Sequence, residues 1–133
     1  MPIRLRRALR SALVIVTSLV AAVSHAQGLS QTDRRGPVTV AVTLARAPVG
    51  SPVTVRLDTH SVALDGVALE TVVVRRGADG IEVAPSAVQD PKGSGHHREA
   101  LLVFPSVNQP GPGRIVVKGV GGVAERVFAW EWR

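Results

Sequence analysis

Three of the four histidines of this chain fall in two short segments, Leu57-Asp58-Thr59-His60-Ser61 and Gly93-Ser94-Gly95-His96-His97-Arg98-Glu99, each abutting an apolar run. Asp58 and His60 are two apart, so in a strand both side chains project from one face. His96 and His97 are adjacent and diverge in a regular strand; only an irregular backbone after Gly95 lets both converge. Three imidazoles and a carboxylate make a four-coordinate donor set for Zn²⁺ or Cu²⁺, formed by Asp58, His60, His96 and His97, with Asp65 as a spare ligand. The same residues also make a polar network, in which Asp58 accepts from Arg98 or an imidazole N–H and the histidines bond loop carbonyls. Buried polar groups need such partners for folding alone. Residue types and spacing leave both readings open.

Catalytic chemistry has less support. No acid and base pair stands at a recognisable spacing, no general base accompanies the candidate metal ligands, and no Gly-x-Ser-x-Gly turn exists, so no catalytic residue is assigned and the expectation is a protein that is not an enzyme. Phe128, Trp130 and Trp132 alternate and share one face of a strand; such a row is a core row before it is a sugar-stacking platform, and no tyrosine supports the second use. Arg75-Arg76 has the character of a solvated strand end.

The formal charge of +6 suggests nucleic acid until its distribution is considered. Arg4, Arg6, Arg7 and Arg10 precede an uncharged apolar run from Ala12 to Val23, and Ser24-His25-Ala26 supplies small residues at both ends of a cleavage triplet. This is the pattern of a secretory signal peptide over residues 1–26. The apolar run is shorter than the roughly 20 residues a bilayer-spanning helix needs. Cleavage after Ala26 leaves 107 residues with twelve of the sixteen basic and all ten acidic side chains, a net of +2. Nucleic acid is thereby excluded as a partner, because its affinity rests on dense positive charge. The chain has no cysteine, so neither a disulfide framework nor a thioether-linked lipid is available. The expected location is extracytoplasmic, in the periplasm or secreted, with no stable membrane span after cleavage.

The elements that must position the histidines are strands. Residues 27–36 are polar and predict a disordered lead-in, with the folded domain spanning 37–133. Val38 to Leu44 places a large apolar residue at every second position, and Val53, Val55 and Leu57 repeat that period. Beyond His60 the apolar parity switches to Val62 and Leu64, which predicts a bulge or a change of sheet at Thr59-His60-Ser61. Strands are also expected over Leu69 to Val74, Ile81 to Ala84, Arg98 to Phe104, Arg114 to Lys118 and Glu125 to Trp132, with Ser86 to Gly95 as a long loop. Seven or eight short strands, frequent turn signals and no helical period predict an all-β, immunoglobulin-like β-sandwich. Its core would combine Val, Leu and Ile with Phe104, Phe128 and Trp130.

The Asp-Thr-His-Ser segment at 58–61, the Gly-His-His-Arg segment at 95–98 and the closing Arg126-Val127-Phe128-Ala129-Trp130 strand resemble, in that order, a group of secreted or lipid-anchored bacterial β-domains of uncharacterised function. The resemblance covers roughly Pro37 to Trp132 and implies a compact secreted β-domain without an agreed activity. Where such domains carry a tryptophan just before the glycine-rich loop, this chain has Ala87-Val88, which loosens the packing under that loop. Two functions from different classes follow. One is a non-catalytic interaction module whose partner is an extracytoplasmic protein. The other is a small Zn- or Cu-binding protein using the His/Asp set.

Overall fold

A computed structural model describes residues 29–45, 52–105 and 113–130. Residues 1–26, expected from the sequence to be a signal peptide, and Trp132 lie outside the described residues. Among the described residues nine strands form two antiparallel sheets. The first has the order β1 (Ser30–Asp33), β2 (Val38–Leu44), β3 (Val53–Thr59), β7 (His97–Val103), β6 (Ala87–Lys92). The second has the order β5 (Glu82–Val83), β4 (Val73–Arg76), β8 (Arg114–Val120), β9 (Val123–Ala129). The alternation in β2 and β3 becomes a strict in-out pattern: Val38, Val40, Val42 and Leu44 are buried, as are Val53, Val55 and Leu57. These side chains join Ala100, Leu102 and Phe104 from the same sheet and Val73, Ile115, Val117 and Phe128 from the other in one apolar core, with Trp130. The all-β, two-sheet architecture is therefore shown.

Four local expectations are corrected. Ser30 to Asp33, in the lead-in expected to be disordered, is an edge strand paired with β2 from Ser30–Thr43 to Asp33–Val40. It is held by polar side chains, to which a search for apolar periodicity is blind. Ala87 to Lys92, inside the expected loop, is a strand exposed along its whole length. Among the described residues it pairs only with β7, and its register shifts between Gln89 and Lys92, where Asp90 has φ 47° and Pro91 has no N–H to give. A bulge and a proline suit an edge strand because they discourage further pairing. The β-branched stretch from Leu69 begins as a helical turn, α1 (Leu69–Val72), not as a strand. Thr71 donates both its N–H (3.0 Å) and its hydroxyl (2.8 Å) to the Ala68 carbonyl, so the local turn competes with strand pairing until Val73. His97, expected in the glycine-rich turn, is the first residue of β7.

The β8–β9 hairpin turns at Gly121-Gly122, with φ of 64° and 74°. Two consecutive positive φ values are what a two-residue turn needs to match strand twist, and glycine reaches them without steric cost.

Candidate functional site

The antiparallel register of β3 and β7 sets Asp58 opposite His97, Leu57 opposite Arg98 and Arg56 opposite Glu99. Because Leu57 faces the core, Asp58, Arg56, His97 and Glu99 all stand on the outer face of the five-stranded sheet. There His97 donates its Nδ1–H to Asp58 Oδ1 at 2.5 Å, and Arg56 Nε reaches Asp58 Oδ2 at 2.9 Å. On the other side of the ring, His97 Nε2 lies 3.8 Å from Glu99 Oε2. Lys92 of β6 is opposite Glu99 and continues the row across the sheet. The result is a row of acidic and basic side chains flanking one imidazole on adjacent strands.

The hydrogen bond from His97 holds the Asp58 carboxyl below its ordinary value; partial desolvation works against this and Arg56 adds to it. The side chains of Asp58 and His97 are 43% and 42% exposed, so solvent screens the pair and its contribution to stability is small. Its effect is on titration. The Asp58 carboxyl of His97→Ala is expected to titrate at higher pH than in the native protein, as followed by NMR; an unchanged midpoint would disprove the assigned bond.

A second set of bonds, inward of this row, ties the two segments together. Thr59 is buried, donates its hydroxyl to the Pro37 carbonyl at 2.8 Å and accepts from the N–H groups of Ser61 and Val62, each at 3.3 Å. This side-chain turn ends β3 where the apolar parity switches and sends the chain toward the other sheet. The Thr59 N–H bonds the His96 carbonyl (3.0 Å) and the Leu64 N–H bonds the Gly95 carbonyl (2.8 Å). Asp65 accepts from the Gly95 N–H at 2.8 Å, and Arg98 Nη1 donates to the carbonyls of Leu64 (3.2 Å) and Asp65 (3.1 Å). Gly93, with φ 84°, packs so closely on the His97 carbonyl that a side chain there would collide with it. Thr59, Asp65, Gly95 and Arg98 are thus the fastening of one end of the domain.

The four-ligand constellation is not assembled. Asp58 and His97 meet, but His60 lies in the bend after β3 and His96 just before β7, both exposed. Among the described residues no group of three or more His, Asp or Glu side chains is placed to hold a metal ion. The physical reason is parity: His97 opens a regular strand, so its neighbour cannot share its face. Asp65, the spare ligand, is engaged by a backbone amide. Asp58 bonds an imidazole, one of its two foreseen partners; Arg98 turns instead to loop carbonyls.

Sequence reasoning missed a second charged pair. Arg126 of β9 is 0% exposed and reaches Asp33 Oδ1 with Nη1 (3.0 Å) and the Val120 carbonyl with Nη2 (3.2 Å). The signal was present, since Arg126 shares the inward parity of Phe128 and Trp130. Arg35 clasps the same carboxylate, and also donates to the Glu125 carbonyl of β9, while Gln31 donates to the Ala129 carbonyl at 2.6 Å. The N-terminal strand therefore fastens the edge of one sheet to the edge of the other.

No protein-family model matches the chain, and no curated protein or solved structure is significantly similar to it.

Proposed function

We propose that this protein is a non-catalytic, extracytoplasmic binding module that engages a protein partner through the outer face of its five-stranded sheet. The observation that carries this reading is the row Arg56, Asp58, His97, Glu99, Lys92: polar, exposed or half-buried, and held on the adjacent strands β3, β7 and β6. Side chains anchored on sheet strands keep their geometry before binding, which lowers the ordering cost of association. A catalytic use has weaker support. A hydroxyl–imidazole–carboxylate relay needs a hydroxyl at the second ring nitrogen, and His97 Nε2 faces the carboxylate of Glu99 instead. The immunoglobulin-like form of the sandwich belongs to the same reading. It is supported by two antiparallel sheets between which the chain crosses after β3, β5 and β7. An experimental strand order incompatible with that fold would retire this part.

The module is tested by immobilising the mature domain, and separately a Arg56→Ser, Asp58→Ser, His97→Ser, Glu99→Ser variant, and exposing both to extracytoplasmic protein of the source cells. Specific retention by the native face and its loss in the variant supports the proposal. Equal retention by both, or none by either, ends it. The compartment is tested separately: N-terminal sequencing of the protein isolated from outside the cytoplasm is expected to begin at or near Gln27, and an intact Met1 there would contradict the signal peptide.

A further inference from the structure

Two arginines face inward from the four-stranded sheet. Arg126, on β9, is matched by the carboxylate of Asp33. Arg75, on β4, stands in register with Ile115 of β8 and Val83 of β5, on the core side. Its Nη1 is buried, and among the described residues it has no hydrogen-bond partner. Arg75 as a whole is half-buried, and this partial burial lowers the pKa of its guanidinium from the ordinary value.

The same inner face carries a second buried donor, just past the end of β9. Trp130 is 5% exposed, and its indole Nε1 is also buried and has no hydrogen-bond partner among the described residues. The β8–β9 register runs to Arg114–Ala129, so Gly113 and Trp130 follow as the next positions, both on the inner side. The Arg75 guanidinium lies over Gly113: a Cβ there would come within 2.7 Å of Arg75 Nε and 3.0 Å of Nη2, so the guanidinium occupies the space a side chain would take, one strand away from Trp130. Buried donors cost free energy when unmatched and are rarely left so. Gln31 bonds Ala129 while Asp33 bonds Arg126, so this end of β9 points toward Leu44 and away from Asp58.

We propose that Arg75 and Trp130 form a carboxylate-binding site beside Gly113, at the end of the domain remote from the Asp58–His97 row. A carboxylate supplies one negative charge for one guanidinium and two oxygens, one for the arginine and one for the indole N–H. A phosphate dianion brings more charge than a single arginine balances. The ligand class is therefore a carboxylic acid, presented by a small molecule or by a peptide side chain or terminus.

The probe is sodium acetate, compared with sodium chloride and sodium phosphate at equal ionic strength, on the mature domain. Acetate is expected to raise the melting temperature saturably, beyond the effect of the other two salts. Arg75→Met is expected to lose this response while melting no lower than the native protein in chloride, because it removes an unmatched charge and keeps the apolar stem. Trp130→Phe is expected to raise the half-saturating acetate concentration by about fivefold or more, the loss of one hydrogen bond. As a measurement independent of melting, the Trp130 indole N–H resonance is expected to shift with acetate in the native protein and not in Arg75→Met. No acetate effect beyond chloride, the same effect in Arg75→Met, or a large drop in melting of Arg75→Met in chloride would each overturn the site; the last would mean that the arginine already has an internal partner.

Discussion

Asp33→Ala is expected to lower the unfolding free energy by about 3–5 kcal/mol, the loss that follows when one partner of a buried ion pair is removed. The substitution leaves Arg126, fully buried, with a single bond to the Val120 carbonyl and an Nε that has no partner among the described residues. It also frees Arg35, whose bonds to Asp33 orient it toward β9. Chemical denaturation of the folded domain measures the effect. A loss below about 1 kcal/mol would mean that Arg126 reaches water when unpaired, as a surface pair does. The double replacement Asp33→Leu, Arg126→Met is expected to recover most of the loss, since apolar substitutes for a buried pair are often neutral or stabilising.

The same carboxylate sets an acid limit. The bonds from Arg35 hold Asp33 down to about 2 against the opposing effect of burial, with Arg126 contributing in the same direction. A carboxyl lowered in the folded state contributes stability that is fully present above its unfolded value, about 4, and is lost as pH falls toward about 2. Asp33→Asn is accordingly expected to flatten the dependence of stability on pH across that window. An unchanged acid profile would place the controlling carboxylate elsewhere.

Leu57→Ala is expected to cost about 2–5 kcal/mol, through lost apolar transfer and the cavity left behind. Leu57 is fully buried, lies between Val40 and Arg98 in the register, and belongs to the core shared by both sheets. Its neighbour Asp58 faces the other way, so the variant tests packing without removing the charged row. If it folds, the bond between His97 and Asp58 should survive, seen as an unchanged Asp58 titration midpoint. A change of less than about 1 kcal/mol would show that the strand is not a central core element.

The sequence by itself determined the parts of this protein governed by local period. Alternation in Val38 to Leu44 specified a strand with one buried face, and the parity switch after Leu57 located the bend that Thr59 closes. The aromatic residues Phe104, Phe128 and Trp130 were legible as core for the same reason. The nearness of the two histidine segments was readable as well, because Asp58 had an imidazole among its foreseen partners. Only the tertiary structure decided which imidazole. Placing His97 inside β7 aligned it with Asp58 and sent His96 elsewhere, since register is a relation between strands far apart in the chain. Ser30 to Asp33 was unreadable because its strand is fastened by Gln31, Asp33 and Arg35 to residues more than 85 positions away. Ala87 to Lys92 was unreadable because an edge strand exposed on both faces has no apolar period. Arg126 became a buried ion-pair partner only when folding set a carboxylate beside it, while Arg75 has no counter-charge among the described residues. Period is written into neighbouring residues; the pairing of charges is settled by which distant strands meet.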